Sequence, residues 1–138
     1  MTHTVRDWMS QPVVVVDPDT TVSYAMTLMR RRNIHSVVVA LEQTNREFGI
    51  VTSTDIRDKI VGEDRNPANT RVREIMSGPI VTVPAASSLK ECSRLMHEHH
   101  IHHLPVADDH GVLVGMISTT DIFTAVEEAG WEGRLTKD

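Results

Sequence analysis

Short apolar runs alternate along the chain with segments whose apolar residues recur every three or four positions. The runs at 13–16 and 80–83 each follow a proline and are rich in β-branched residues, which predicts strands. A helical pattern comes next in both halves, opened by Thr21 in the first and by a Ser88–Glu91 capping-box pattern in the second. The apolar positions of these two helices are Val22, Ala25, Met26 and Met29, and then Leu89, Cys92, Leu95 and Met96.

Two further strands and a closing helix follow in each half. The predicted strands lie at 37–41, 48–52, 104–106 and 112–118. The closing helices open near Asp55 and Asp121, and the polar stretch 62–70, which contains Pro67, is typical of a linker. The predicted order in each half is therefore β-α-β-β-α.

The two halves are copies of one sequence. Residues 5–39 align with 72–106 at a shift of 67, and 12 of the 35 aligned pairs are identical. After a one-residue change in length, 49–56 matches 115–122. Self-similarity of this kind indicates a duplication. The predicted organisation is a first repeat at 4–61, a linker at 62–70, a second repeat at 71–129 and a tail at 130–138.

The size of each repeat predicts how the two copies are used. A unit of about 60 residues buries only about 60% of its unfolded surface and is marginal alone. We therefore expect the two copies to pack their sheets together. Such packing leaves clefts between equivalent edges, and clefts are where small ligands bind.

Composition and charge narrow the class of protein. Aromatic residues make up only 4% of the chain, so Val, Ile, Leu and Met must fill the core. The net charge of −5 disfavours nucleic acid as a partner, because phosphate backbones attract basic surfaces. Cys92 is the only cysteine, which excludes an intrachain disulfide. The sequence shows neither a signal-peptide pattern nor an apolar run of membrane-spanning length, so we expect a cytoplasmic protein with no membrane partner.

One chemical motif, Gly-x-x-[Ser/Thr]-x-x-Asp, occurs twice where a strand leads into a helix. Its members are Gly49, Thr52 and Asp55 in the first copy and Gly115, Ser118 and Asp121 in the second. A carboxylate at this place can accept hydrogen bonds from a ribose diol. The hydroxyl and the free N–H groups of the helix start can bind a phosphate. Plain helix capping explains the same residues without any ligand, and duplication copies a cap as readily as a site.

Histidines form a second candidate group. His35 and His102 are paired across the copies at the start of a strand, where an imidazole can meet a phosphate or simply be satisfied by backbone. A cluster in the second copy has helical spacings that suit a metal. Its members are His97, His99, His100, His102 and His103. The helix is expected to end near His99, so the cluster straddles a turn, and we predict no native metal site.

Three segments are present in both copies, namely Val-Arg-[Asp/Glu]-x-Met-Ser-x-Pro-[Val/Ile]-Val, Ile-His-x-x-x-Val and Gly-x-x-[Thr/Ser]-x-Thr-Asp-Ile. Together they resemble the CBS domain, named after cystathionine β-synthase. The similarity covers about 4–61 and 71–129 and is that of a stand-alone CBS pair, or Bateman module. It implies a mixed fold of helices and strands, α/β in the broad sense and α+β in class. The two tandem β-α-β-β-α repeats would pack with pseudo-two-fold symmetry.

The resemblance also implies a regulatory ligand. Such modules bind adenosine compounds, and we rank AMP first, ahead of ADP, ATP, S-adenosylmethionine and NAD. No cofactor is required, and a homodimer and a regulated partner protein are expected. One implied cleft combines Ser10, Gln11, Ile34, His35 and Ser36 with Ser118 and Asp121. The other combines Ser77, Gly78, Ile101, His102 and His103 with Thr52 and Asp55. The aspartates would hold ribose, the hydroxyls phosphate, and the Ile-His stretches adenine, with His102 or His103 adding phosphate contacts.

Departures from the family pattern leave alternatives. Many family members carry proline where this chain has Val38, which points to a remodelled or empty cleft. Basic residues near the predicted clefts are few, Arg57 being the best candidate, and this favours a monophosphate over a triphosphate. The competing hypotheses are a ligand-free dimerisation or interaction module and a metal-dependent protein that uses the histidines. An enzyme is least supported, because no nucleophile, base and orienting group stand together in a known pattern.

Overall fold

A computed structural model describes residues 3–10, 13–41, 48–78 and 80–130. The predicted site residue Gln11 and all but the first residue of the predicted tail lie outside the described residues. The chain divides into two compact units. Unit 1 consists of Met1–Val13 and Val81–Asp138, and unit 2 consists of Val14–Ile80.

The described elements follow the predicted order in both repeats. The strands are β1 Val15–Val16, β2 Ser36–Ala40, β3 Phe48–Thr52, β4 Val83–Pro84, β5 His103–Ala107 and β6 Leu113–Ser118. The helices are α1 Val5–Trp8, α2 Val22–Arg32, α3 Ser53–Asp55, α4 Leu89–His99 and α5 Thr119–Ala129. A π-helix at Ile56–Val61 continues α3, and short 3-10 turns lie at Pro67–Asn69 and Val72–Glu74. The mixed α+β class is thereby confirmed. No described helix has the length and apolar character needed to cross a membrane.

Unit 2 is built on the sheet β1-β2-β3, with β1 parallel and β3 antiparallel to the central β2. Thr21 caps the start of helix α2, where its side chain accepts a hydrogen bond from the Tyr24 N–H, and Asn33 caps the end in a left-handed conformation. Its buried residues are Val22, Ala25 and Met29. Met26 was predicted to share this apolar face, but 38% of it is exposed.

Unit 1 repeats this arrangement with the sheet β4-β5-β6. Ser88 caps α4 by accepting from the Glu91 N–H at 3.1 Å, as predicted. A full capping box also requires the Glu91 carboxylate to accept a hydrogen bond from the Ser88 N–H. This part of the prediction is wrong, because the Glu91 carboxylate instead binds the Arg94 guanidinium at 2.6 and 3.0 Å. Helix α4 ends at His100, which is left-handed like Asn33 in the other copy.

Each unit contains an N-terminal segment from the other sequence repeat. In unit 1, Ser10 of the first repeat exchanges two backbone hydrogen bonds with Met116 of β6, at 2.8 and 3.1 Å. In unit 2, Ser77 of the second repeat does the same with Ile50 of β3, at 2.9 and 2.8 Å. The compact units therefore cut across the sequence repeats.

Candidate functional site

The two Gly-x-x-[Ser/Thr]-x-x-Asp motifs form strand-to-helix junctions, from β3 to α3 and from β6 to α5. Each junction closes a capping box. The Thr52 N–H donates to Asp55 Oδ2 at 2.9 Å, and the Ser118 N–H donates to Asp121 Oδ2 at 2.8 Å. The hydroxyls receive the return bond from the aspartate N–H at 3.4 and 3.3 Å. Helix capping, the simpler explanation of the motif, is thus present in both copies.

The capping boxes limit what the motif can offer a ligand. Each hydroxyl also donates to the same Oδ2, at 3.2 Å for Thr52 and 3.1 Å for Ser118. An alcohol used in this way must leave its aspartate before it can donate to a phosphate. At each junction the second carboxylate oxygen, Oδ1, takes no part in the capping box.

The surroundings of the two carboxylates differ. Asp55 is 8% exposed, and its Oδ1 lies 3.3 Å from the Lys59 ammonium nitrogen. Within the described residues, no Lys, Arg or His nitrogen lies within ion-pair distance of the Asp121 carboxylate, which is half-buried. The negative charge of Asp121 is felt at Cys92, where burial first and this charge second raise the thiol pKa to about 11. Cys92 is a core residue, as predicted.

A pocket of about 440 Å³ lies in unit 1 beside the start of α5. Its lining includes Thr119 and Ile122, which flank Asp121 in the first turn of that helix. Histidines and apolar side chains contribute most of the remaining lining, namely His97, His100, His102, Met96 and Ile101. A volume of this size falls within the range of small-molecule pockets.

In both units, a backbone hydrogen bond joins the first residue of the closing helix to the residue that precedes the central strand. The Thr119 N–H donates to the His102 carbonyl and the Ser53 N–H donates to the His35 carbonyl, both at 3.0 Å. Strand pairing sets Ser36 opposite Thr52, and the equivalent pair in unit 1 is His103 and Ser118. The side chains of His35 and His102 are exposed.

The predicted site residues divide between the units. Unit 1 contains Ser10, Ile101, His102, His103, Ser118 and Asp121. Unit 2 contains Ile34, His35, Ser36, Thr52, Asp55, Ser77 and Gly78. Each implied cleft draws residues from both units, so its composition stays a prediction.

Two features of the site were missed from the sequence. The spacing of Asp55 and Lys59, four residues apart in a helix, is a known signal for an ion pair, and Ala125 at the matching place breaks the symmetry. The histidine cluster straddles the end of α4, and nothing in the sequence indicated that three of its histidines, His97, His100 and His102, line one pocket. Among the described residues, no group of three or more His, Cys, Asp or Glu side chains is arranged to hold a metal ion.

Comparison with known proteins decides the family. A model of the CBS domain matches the chain twice, at residues 5–62 and 72–128. The chain belongs to the CBS domain family. Because two copies are matched, the protein contains a CBS pair, and the predicted resemblance is confirmed.

Relatives of this CBS pair occur among sequences and structures. An uncharacterized protein of Methanopyrus kandleri is 34% identical over 110 residues, which cover 80% of this chain and 56% of that protein. The chain therefore spans little more than half the length of this relative. The hexameric CBS-CP12 protein from bloom-forming cyanobacteria is 30% identical, with a TM-score of 0.84 over 96% of this chain and 78% of that chain.

A further structural neighbour carries ligands. The CBS domain pair of protein MJ0100, in complex with 5′-methylthioadenosine and S-adenosyl-L-methionine, matches with a TM-score of 0.80. The match covers 94% of this chain and 99% of that chain at 22% identity. At this identity the neighbour shows that the fold is shared.

Proposed function

We propose that this CBS pair is a regulatory module that binds an adenosine compound, with AMP as the first candidate. The observation that carries the proposal is the unit 1 pocket at the start of α5, beside a carboxylate whose second oxygen has no partner among the described residues. The adenosine ligands of the MJ0100 domain pair support the choice of ligand class.

The pocket and the neighbouring Asp121 offer a separate group to each part of the ligand, although the resemblance assigns Ile101 and His102 of this pocket to the Asp55 cleft. Met96, Ile101 and Ile122 supply apolar surface for an adenine ring. Asp121 Oδ1 is an acceptor for a ribose hydroxyl, because its partner oxygen already holds Ser118. Adenine and ribose together thus account for the apolar lining and the carboxylate.

The same pocket favours a single phosphate. Its donating side chains are the imidazoles of His97, His100 and His102 and the hydroxyls of Ser93 and Thr119, and no Lys or Arg is among its described lining. Imidazole N–H groups donate to phosphate oxygens, but the net charge of −5 opposes a highly charged ligand. We therefore place AMP ahead of ATP.

Calorimetric titration of the full chain with AMP, ATP and S-adenosylmethionine tests this proposal. We expect saturable binding of AMP and a melting temperature that rises with AMP concentration, because a ligand bound only by the folded state stabilises it. Asp121→Asn should weaken AMP binding about 10- to 100-fold through loss of a charge-assisted hydrogen bond. A clear preference for ATP would reverse the ranking.

A ligand-free dimerisation module is the second candidate. The observation that favours it is that both capping boxes use the motif hydroxyls and one oxygen of each aspartate within the chain. The hexameric state of the CBS-CP12 protein supports self-association in either case. Sedimentation with and without AMP separates the two: a homodimer unaffected by every adenosine compound, with no heat of binding, supports the second candidate.

A further inference from the structure

The two junctions of this CBS pair differ in one charged residue. Lys59 lies four residues after Asp55 in the closing helix of the first repeat, and Ala125 occupies the matching place after Asp121. Ala125 is fully buried, whereas the Lys59 side chain is half-buried. No lysine therefore stands at this place in unit 1.

Lys59 is held at two points. Its ammonium nitrogen lies 3.3 Å from Asp55 Oδ1 and donates a hydrogen bond to the Ile75 carbonyl at 2.9 Å. Ile75 is 1% exposed and belongs to the segment that enters unit 2 from the second repeat. The position matching Ile75 in the first repeat is Trp8, so the pair Lys59–Ile75 corresponds to Ala125–Trp8.

Both oxygens of the Asp55 carboxylate are occupied as a result. Oδ2 accepts from the Thr52 N–H and hydroxyl, and Oδ1 faces the Lys59 ammonium. The Asp55 side chain is 11% exposed, so protein groups rather than water make most of its contacts. A ribose hydroxyl that took the place of the Lys59 ammonium would leave this cation without its carboxylate, which is unfavourable in a partly buried pair.

We propose that Lys59 closes the Asp55 junction to the ligand, so that the CBS pair binds its adenosine compound at Asp121 alone. This inference rests on the proposed function. Lys59 is then the residue that makes two junctions with the same motif unequal, and one equivalent of ligand binds per chain.

Titration calorimetry with AMP on the full chain tests the inference through stoichiometry. Wild type should bind one equivalent per chain, Asp121→Asn should weaken this binding about 10- to 100-fold, and Asp55→Asn should leave it unchanged. Lys59→Met keeps the aliphatic stem and removes the ammonium, so a second equivalent should appear. Lys90→Met, an exposed lysine in the first turn of α4, is the matched control and should bind like wild type.

A reciprocal variant covers the case in which Lys59→Met folds poorly. The double change Trp8→Ile and Ala125→Lys gives unit 1 the residue types that Ile75 and Lys59 provide in unit 2. Trp8 is a suitable residue to replace because its indole nitrogen is buried and has no hydrogen-bond partner in the part of the chain that the structure describes. We expect this variant to melt as one folded species and to lose AMP binding by about 10-fold or more.

The outcomes separate this inference from the proposed function. Two equivalents bound by wild type, loss of binding in Asp55→Asn, or unchanged stoichiometry in folded Lys59→Met overturns the inference alone. Weaker binding in Lys59→Met would assign Lys59 to the ligand site and also overturn it. Absence of AMP binding in wild type and every variant overturns the proposed function, and this inference with it.

Discussion

Gly49 and Met76 lie so close together that a Cβ atom on the glycine would stand 2.6 Å from the Met76 sulfur. The same relationship holds in unit 1, where a Cβ on Gly115 would stand 2.7 Å from the Met9 sulfur. These glycines open the Gly-x-x-[Ser/Thr]-x-x-Asp motifs. Their role is to admit the segment that each unit receives from the other repeat.

Replacing these glycines by alanine should destabilise the fold unequally. A Cβ at Gly115 also meets the Ser10 carbonyl oxygen at 2.7 Å, whereas at Gly49 the corresponding distance to the Ser77 oxygen is 3.1 Å. A methionine side chain can rotate away, whereas the Ser10 and Ser77 carbonyls are held by hydrogen bonds from Met116 and Ile50. We expect both variants to lose about 1–3 kcal/mol of unfolding free energy, with Gly115→Ala at the upper end.

Double variants test the cause of this loss. Met76→Ala should relieve most of the strain of Gly49→Ala. The double variant should therefore lose less unfolding free energy than the sum of the two single losses, as measured by urea denaturation. Met9→Ala should relieve Gly115→Ala less, because the Ser10 contact remains. Equal rescue at both sites would contradict the assignment to the carbonyl oxygen.

The ion pair of Asp55 and Lys59 should contribute measurably to stability. Asp55→Asn breaks it and leaves a half-buried ammonium with only the Ile75 carbonyl, whereas Asp121→Asn breaks no ion pair among the described residues. The Lys59 side chain is 37% exposed, so water screens the pair and we expect a coupling of about 1 kcal/mol or less. A cycle of Asp55→Asn and Lys59→Met measures it. A coupling of zero would show that the pair contributes nothing to folding.

The sequence predicted the elements well because each copy repeats the same local signals. The caps Thr21 and Ser88 and the helix end near His99 are decided within a few residues, and each is present where expected. The first strands have only two residues each: β1 lies within the predicted run 13–16, and β4 overlaps the predicted run 80–83 at Val83 alone.

The sequence could not predict that the two repeats exchange their N-terminal segments. Internal similarity shows that Ser10 matches Ser77, but it does not say which copy of the strand each residue pairs with. The structure pairs Ser10 with Met116 and Ser77 with Ile50. Likewise the motif identified both aspartates, but only the tertiary contact to Ile75 shows that Lys59 is fixed at one of them.

Cys92 makes stability fall at alkaline pH. Burial, with a smaller effect of Asp121, raises its pKa to about 11 in the folded protein. The pKa of a thiol in the unfolded chain is about 8.5. Between these values the unfolded chain loses a proton that the folded chain keeps, so the unfolding free energy decreases as pH rises, by at most about 1.4 kcal/mol per unit.

Urea denaturation across this alkaline range, compared with Cys92→Ala, isolates the effect of the thiol. Lysine and tyrosine titrations are common to both proteins, so the difference in slope belongs to Cys92. Below about pH 8 the two slopes should agree. Parallel curves throughout would show that the thiol titrates normally in the folded state.

Changes at the pocket histidines should weaken the binding of the phosphate and leave the binding of the nucleoside unchanged. His97→Gln and His100→Asn each remove an imidazole from the lining, and asparagine suits the left-handed conformation at residue 100 because Asn33 adopts it at the matching place. We expect each change to weaken AMP about 10-fold, the value of one charge-assisted hydrogen bond, while leaving adenosine unchanged.

His99→Gln is the matched control for these changes. His99 lies on the same helix end, but its Nε2 faces Glu98 at 3.6 Å and it is absent from the described lining of the pocket. Competition binding of AMP and adenosine to the three variants measures both affinities at once. If His99→Gln weakens AMP as much as His97→Gln does, the effect is one of general charge. If adenosine is weakened in step with AMP, the histidines contact the nucleoside, and the phosphate must lie elsewhere.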